Sequence, residues 1–287
     1  MVGKSEKAGK GASPMVFRFD YNIPGLGYHH TREPVPVPSD FARHFHDGYE
    51  LIFISEGHGR FIVEGSEYEI SPGSFLFFRP REYHYVDIRP GEPYERRVFH
   101  FNRQTLVPGA EAFLDILDAS PFGEGNYYRE SDLPPGFSDL IRGFDSIADL
   151  PEENKPVFAQ VRLSELVIML ATSNAHSGSL ISERLGGRVV RYLNEHIETD
   201  ETIEELANRF SVSKFYLCRT FKEHNGISIH GYITRKRVMI AKSRIDDGMT
   251  AAAAAAGVGF RDYSAFYRAY RRIVGRSPSE KRESRKD

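Results

Sequence analysis

A single cysteine, Cys218, stands among the 287 residues. With no second thiol, an internal disulfide and a zinc site built on cysteines are both excluded. No run of about 18 apolar residues occurs, so no membrane-spanning helix and no membrane partner are expected. Met1 to Pro14 are rich in Lys, Gly and Ser and hold no apolar stretch. They read as a disordered arm and not as a secretory signal, so a cytoplasmic location is expected.

What is present is unevenly spread. The net charge is -2, yet residues 180–287 carry 21 Lys and Arg against 14 Asp and Glu, while the remainder carries 17 against 26. A basic half joined to an acidic half implies that only the former meets a polyanion.

The hydrophobic period changes along the chain. From Met15 to about Arg103, short apolar runs such as Glu50–Ser55, Gly59–Glu64, Ser74–Phe78 and Val98–Phe101 alternate with Gly, Pro and Asp. This is the pattern of a sandwich or barrel. From about Pro108 the spacing is helical, through Ala112, Phe113, Ile116 and Leu117, then Phe137, Leu140, Ile141, Phe144 and Ile147. A third helix, carrying Val157, Phe158, Val161, Leu163, Leu166, Val167, Met169 and Leu170, is apolar nearly all round. It is expected either in its own domain's core or against a second copy of the chain, with dimerisation the favoured role. Residues 173–182 read as a linker.

The basic half contains two helix–turn–helix patterns. In the first, about 202–226, Ile203, Leu206, Ala207 and Phe210 form one face. A break follows at Ser211–Val212, and Ser213 caps a second helix that buries Leu217 and Phe221. That helix exposes Lys214, Phe215, Cys218, Arg219 and Lys222. The second pattern, about 250–275, joins an Ala-rich helix to one capped by Asp262. It buries Phe266 and Tyr270 and exposes Tyr263, Ser264, Tyr267, Arg268, Arg271 and Arg272. Second helices of this kind enter the major groove of DNA. A long helix, Ile229 to Ile245, joins the units.

Leu206-Ala207, Ser213, Tyr216-Leu217, Arg219, Phe221-Lys222 and Gly226 form the first part of a longer pattern. Arg237, Ala241, Ala256, Gly259-Phe260, Phe266, Gly275 and Ser277-Pro278 complete it, and together they resemble the AraC family. The resemblance covers about a hundred residues. Tyr270 stands where a Phe is usual, and Lys281 where the family often has Tyr. The resemblance implies a transcriptional regulator that binds double-stranded DNA through Lys214, Phe215, Cys218, Arg219, Lys222, Tyr263, Ser264, Tyr267, Arg268 and Arg271. It also implies a homodimer, with RNA polymerase as a further partner.

Arg43–Gly57 reads RHFHDGYELIFISEG, and Gly73, Pro80 and His84 follow at the spacing of a returning hairpin. This resembles the two signature motifs of the cupin barrel, with one residue too many between Gly73 and Pro80. His44, His46 and Glu50 share strand parity, so with His84 they are expected to form one inward-facing polar cluster. Three readings stand. The cluster binds a small organic effector, with Arg43, His44, His46, Glu50, Tyr83 and His84 as pocket groups and His100 behind them. Or His44, His46, Glu50 and His84 hold a divalent metal such as Fe, Mn, Ni or Zn. Or the histidines are a satisfied core. Resemblance to sensor domains favours the first, with a sugar or sugar derivative as effector, no cofactor and no catalytic residues. A metal-binding cupin enzyme or metal sensor is the alternative.

The expected organisation is thus an arm (1–14), a cupin-like β-barrel (15–107), a helical connector and dimerisation region (108–178), and an all-α DNA-binding domain (179–287).

Overall fold

The computed structural model describes residues 16–23, 25–37, 41, 45–173, 180–181 and 184–279. It falls into two compact units, residues 1–181 and 182–287. The expected boundary at 178/179 and the position of Lys281 lie outside the described residues.

The described residues of the first unit form ten strands: β1 (Val16–Ile23), β2 (Leu26–Glu33), β3 (Tyr49–Glu56), β4 (Gly59–Val63), β5 (Ser66–Ile70), β6 (Ser74–Phe78), β7 (His84–Ile88), β8 (Tyr94–Phe101), β9 (Tyr127–Arg129) and β10 (Leu180–Ile181). They form a six-stranded sheet in the order β1-β2-β8-β3-β6-β9 and a four-stranded sheet in the order β10-β5-β4-β7. Strand alternation assigns the two faces of the large sheet. Ile52, Ile54, Leu76, Phe78 and Val98 point inward and share a core with Phe61, Tyr68 and Val86 of the small sheet. Leu51, Phe53, Phe75, Phe77, Phe99 and Phe101 point outward into a second core. A strand buried on both faces has no polar side to show, and Leu51–Ile54 of β3 therefore read as a continuous apolar run. The β-rich domain is the expected one. Among the described residues its ladders stay open, so the interior lies between two sheets.

The outer face is covered by α1 (Ala112–Asp118), α2 (Phe137–Arg142), a 3-10 stretch (Gly143–Asp149) and α3 (Lys155–Ala171). Leu163, Leu166, Val167 and Leu170 of α3 sit in the same core as Phe99 and Phe144. This corrects one expectation. Leu166 and Leu170, the residues assigned to a dimer face, are fully buried in their own unit. The large sheet exposes an aromatic outer surface that needs a cover, and each Leu buried there contributes about 1.5–3 kcal/mol. Of the apolar residues of α3, Val157 and Val161 stay exposed.

A polar cluster ties this helical layer to the sheet. Asp145 of the 3-10 stretch accepts hydrogen bonds from Tyr28 Oη (2.5 Å) and Arg97 Nη2 (2.8 Å) and lies 3.2 Å from His30 Nδ1. Burial alone raises its pKa, but the bonds from His30, Arg97 and Tyr28 outweigh that and hold it far below the usual carboxylate range. A depressed folded-state pKa stabilises the protein above the unfolded-state value near 3.9 and stops doing so as pH falls through the folded one. Urea melts should therefore show the wild type losing stability as pH drops from about 5 toward 2. Asp145→Asn should be weaker at pH 7 and flatter over that range; equal slopes would contradict this role.

The second unit is helical: α4 (Leu185–Glu195), α5 (Ile203–Arg209), α6 (Lys214–Asn225), α7 (Ile229–Asp246), α8 (Ala251–Gly257) and α9 (Tyr263–Val274). The starts of α5 to α9 are set by side-chain caps. Thr202, Ser213, Ser228 and Thr250 each accept one backbone N–H of the following turn, and Asp262 accepts two, from Ser264 and Ala265. Gly226 and Gly275 end α6 and α9 in the left-handed region. The turns between α5 and α6 and between α8 and α9 each contain a left-handed residue, Ser211 (φ 55°) and Gly259 (φ 84°). Gly259 also leaves room for Arg237, whose Cζ would lie 2.9 Å from a Cβ there. Arg237 in α7 donates to the carbonyls of Ile197 (2.9 Å), Thr199 (2.6 Å) and Gly259 (2.8 Å). One guanidinium thus clasps the approach to the first helix–turn–helix and the turn of the second.

Candidate functional site

The sensor site is built around one buried carboxylate. Glu50, on β3, pairs across the ladders with His100 of β8 and Phe78 of β6. His84 opens β7 from the facing sheet, and His46 comes from the segment before β3. Glu50 Oε2 lies 2.9 Å from His46 Nε2 and 2.9 Å from His84 Nε2, and Oε1 lies 3.1 Å from His100 Nε2. Three imidazoles from three separate places in the chain thus surround one acid.

The rings are held from behind. His46 Nδ1 donates to Gly48 O (2.8 Å), and His84 Nδ1 donates to Glu82 O (3.0 Å). The His84 ring stacks on Phe78 with centroids 4.0 Å apart. His46 faces an acceptor at each nitrogen, and only a doubly protonated ring satisfies both. Burial lowers its pKa, but the Glu50 hydrogen bond and charge overcome this, and the net shift is upward. For Glu50, burial is the largest influence and raises the pKa. Hydrogen bonds from His100, His46 and His84 outweigh it and hold the group well below the usual carboxylate range. The site is therefore a buried carboxylate with an imidazole nitrogen at hydrogen-bonding distance on three sides.

Of the expected pocket residues, the structure brings His46, Glu50 and His84 together. His100 moves from a supporting place to direct contact with Glu50. Tyr83 is buried and packs on Phe45 and Tyr85. Arg43 and His44 lie outside the described residues. The sequence reading missed His29. It sits on β2 on the same face as Val98, its ring 6.0 Å from that of His100 and its Nδ1 2.9 Å from Asp20 of β1. Burial is the largest influence on its pKa and pushes it down, against the opposing pull of Asp20. The one signal for it was the parity of β2, a strand with no motif to mark it. The ligand atoms of His46, Glu50 and His84 lie within 4.8 Å of one another, close enough to hold a metal ion.

In the helical unit, Leu217 and Phe221 of α6 and Phe266 and Tyr270 of α9 are buried, as their spacing requires. Lys214, Phe215, Arg219 and Lys222 of α6 are exposed and Cys218 is half-buried. On α9, Tyr263, Ser264, Arg268 and Arg271 are exposed and Tyr267 is half-buried. Phe215 is 76% exposed, which no core role explains. Arg219 lies 5.9 Å from the ring centres of both Phe215 and Tyr216.

Residues 38–170 match the family described as AraC-like ligand binding domain, and residues 206–284 match a helix-turn-helix domain family. Curated relatives include the HTH-type transcriptional activator RhaS of Pectobacterium carotovorum subsp. carotovorum (strain PC1). It is 24% identical over 259 residues, covering 87% of this chain and 90% of that one. The uncharacterized HTH-type transcriptional regulator YbfI of Bacillus subtilis (strain 168) is 24% identical over 233 residues, covering 79% and 82%. Among solved structures, ToxT from Vibrio cholerae O395 aligns over 90% of this chain and 96% of that one, at 12% identity and a TM-score of 0.35. With a ligand-binding half and a helix–turn–helix half both matched, the chain belongs to the AraC family of transcriptional regulators, effector-controlled DNA-binding proteins and not enzymes.

Proposed function

We propose that the effector is a sugar or sugar derivative bound between the two sheets at Glu50, His46, His84 and His100, and that its binding changes DNA occupancy. The observation carrying this reading is the buried Glu50 carboxylate ringed by three imidazoles. A buried polar cluster accepts a hydroxyl-rich ligand at little cost, because each broken internal bond is replaced. A titration of purified protein against a sugar panel, repeated with Glu50→Gln, tests it. Heat of binding in the wild type and none in the variant is expected; equal binding in both would place the pocket elsewhere.

The spacing of His46, Glu50 and His84 also supports a second reading, a metal sensor in which His44, His46, Glu50 and His84 hold a divalent ion. Metal analysis of the purified protein separates the two. The effector reading expects no stoichiometric metal; one ion per chain, lost in His84→Ala, would establish the second.

DNA contact is assigned to the exposed faces of α6 and α9. Arg219 and Arg268 are placed at base edges, and Lys222 and Arg271 at phosphates. Arg219→Ala or Arg268→Ala should cost about 1–3 kcal/mol on the selected sequence and little on unrelated DNA. Lys222→Ala or Arg271→Ala should weaken all sequences alike. Uniform loss from all four substitutions would remove the base-reading assignment.

The active species is a homodimer using what α3 leaves outside, Val157 and Val161. Val157→Glu combined with Val161→Glu should give a folded monomer in sedimentation; an unchanged dimer would move the interface elsewhere.

A further inference from the structure

The inner face of the large sheet continues beyond the histidine cluster. On β2, His29 is followed two and four residues on by Thr31 and Glu33. On β8, His100 is preceded by Val98, Arg96 and Tyr94 on the same face. The register pairs Thr31 with Arg96 and Glu33 with Tyr94, so the four side chains form adjoining rows.

Two of them hold polar atoms that the fold does not use. Thr31 is 4% exposed and Tyr94 1%. Thr31 Oγ1 and Tyr94 Oη have no hydrogen-bond partner among the described residues. Burial is the main influence on Tyr94 and raises its pKa, so its hydroxyl stays a donor. Arg96 lies beside them. Its guanidinium is 4.8 Å from the Phe41 ring centre and 5.1 Å from that of Tyr94. Among the described residues it pairs with one carboxylate oxygen, Glu33 Oε1, at 3.8 Å, beyond hydrogen-bonding distance. Rings that fix a guanidinium without consuming its N–H groups prepare it for a planar, two-oxygen acceptor.

We propose that Thr31, Tyr94 and Arg96 form a carboxylate subsite, and that the effector is a sugar acid whose hydroxyls reach the Glu50 cluster. This rests on the effector reading above and narrows it. Two hydroxyls and a guanidinium stand in adjoining rows of one face, and a carboxylate, with two oxygens and four lone pairs, can satisfy all three. His100 and Arg96 are four residues apart on β8, about 13 Å along the strand. A hexuronate with a hydrogen bond at each end, met by the long Arg96 side chain, fits that separation.

Thermal shift and calorimetry on the full-length protein test the subsite, with D-galacturonate and D-glucuronate as probes and D-galactose and D-glucose as their neutral partners. A uronate should stabilise the wild type more than its neutral partner does. Tyr94→Phe and Thr31→Val should weaken uronate binding about tenfold each. Neither should lower the melting temperature without ligand, because each deletes a hydroxyl that the empty protein leaves unpaired. Arg96→Gln should abolish the preference for uronate over neutral sugar. A neutral sugar that binds the wild type and all three variants equally would overturn the subsite and leave the effector reading standing. Absence of binding by any of the four sugars would overturn the sugar-acid assignment. A fall in the ligand-free melting temperature of Tyr94→Phe would show that the hydroxyl is structural and would equally overturn it.

Discussion

Replacing Glu82 with alanine is expected to destabilise the sensor unit by about 3–5 kcal/mol, the cost of stranding a buried charge. Glu82 is fully buried and accepts four donors: Arg79 N (2.8 Å), Arg79 Nη2 (2.5 Å), Gly123 N (2.9 Å) and Asn126 Nδ2 (2.8 Å). Arg79 in turn donates to the carbonyls of Ser120, Pro121 and Glu124. The pair pins residues 120–126 to the sheet and leads directly into the His84 side of the Glu50 cluster, since Glu82 O holds His84 Nδ1. Glu82→Gln should also destabilise, though less, because its amide nitrogen must face a donor. Urea denaturation should give a midpoint well below wild type, and a melting temperature lower by roughly 10 °C. A loss under about 1 kcal/mol for Glu82→Ala would show that water replaces the carboxylate, and that the network is not what holds this loop.

The largest effect concerns salt. A fragment of residues 179–287 should bind DNA alone, and its affinity should fall about a thousandfold between 50 and 200 mM salt. The reason is the basic excess of this part of the chain together with the exposed Lys and Arg of α6 and α9. Each phosphate neutralised releases a counterion, so the slope of log affinity against log salt counts the contacts. Single substitutions of Lys222 or Arg271 should each reduce that slope by about one. A flat salt dependence, or a folded fragment with no affinity at low salt, would contradict the assignment of DNA contact to these helices.

How far the sequence leads differs between the two halves. In the helical half the caps at Ser213 and Asp262, and the buried pairs Leu217–Phe221 and Phe266–Tyr270, are local features. They depend on neighbours three or four residues away, and reading them needs no knowledge of the tertiary fold. The clasp of Arg237 was legible only as part of a family pattern; its three carbonyl partners lie 22 to 40 residues away. In the β-rich half, parity alone united His46 and Glu50. Placing His84 took a hairpin motif, and it faced inward as expected. His29, Thr31, Tyr94 and Arg96 were invisible because their grouping depends on β2 pairing with β8, more than sixty residues downstream. The helix α3 misled for a related reason. A nearly all-round apolar pattern states that a surface must be covered, and the aromatic outer face of the large sheet covers Leu166 and Leu170 before any second chain does.

Control of the helical half's DNA occupancy by a ligand at Glu50 is the proposed mechanism. Its most direct test is fluorescence anisotropy of the full-length protein on an operator recovered by in vitro selection, with and without the uronates and neutral sugars above, for wild type and Glu50→Gln. The account predicts that at least one of these sugars shifts the wild-type DNA affinity by about 5- to 150-fold and leaves that of Glu50→Gln unmoved. An equal shift in both proteins would contradict it.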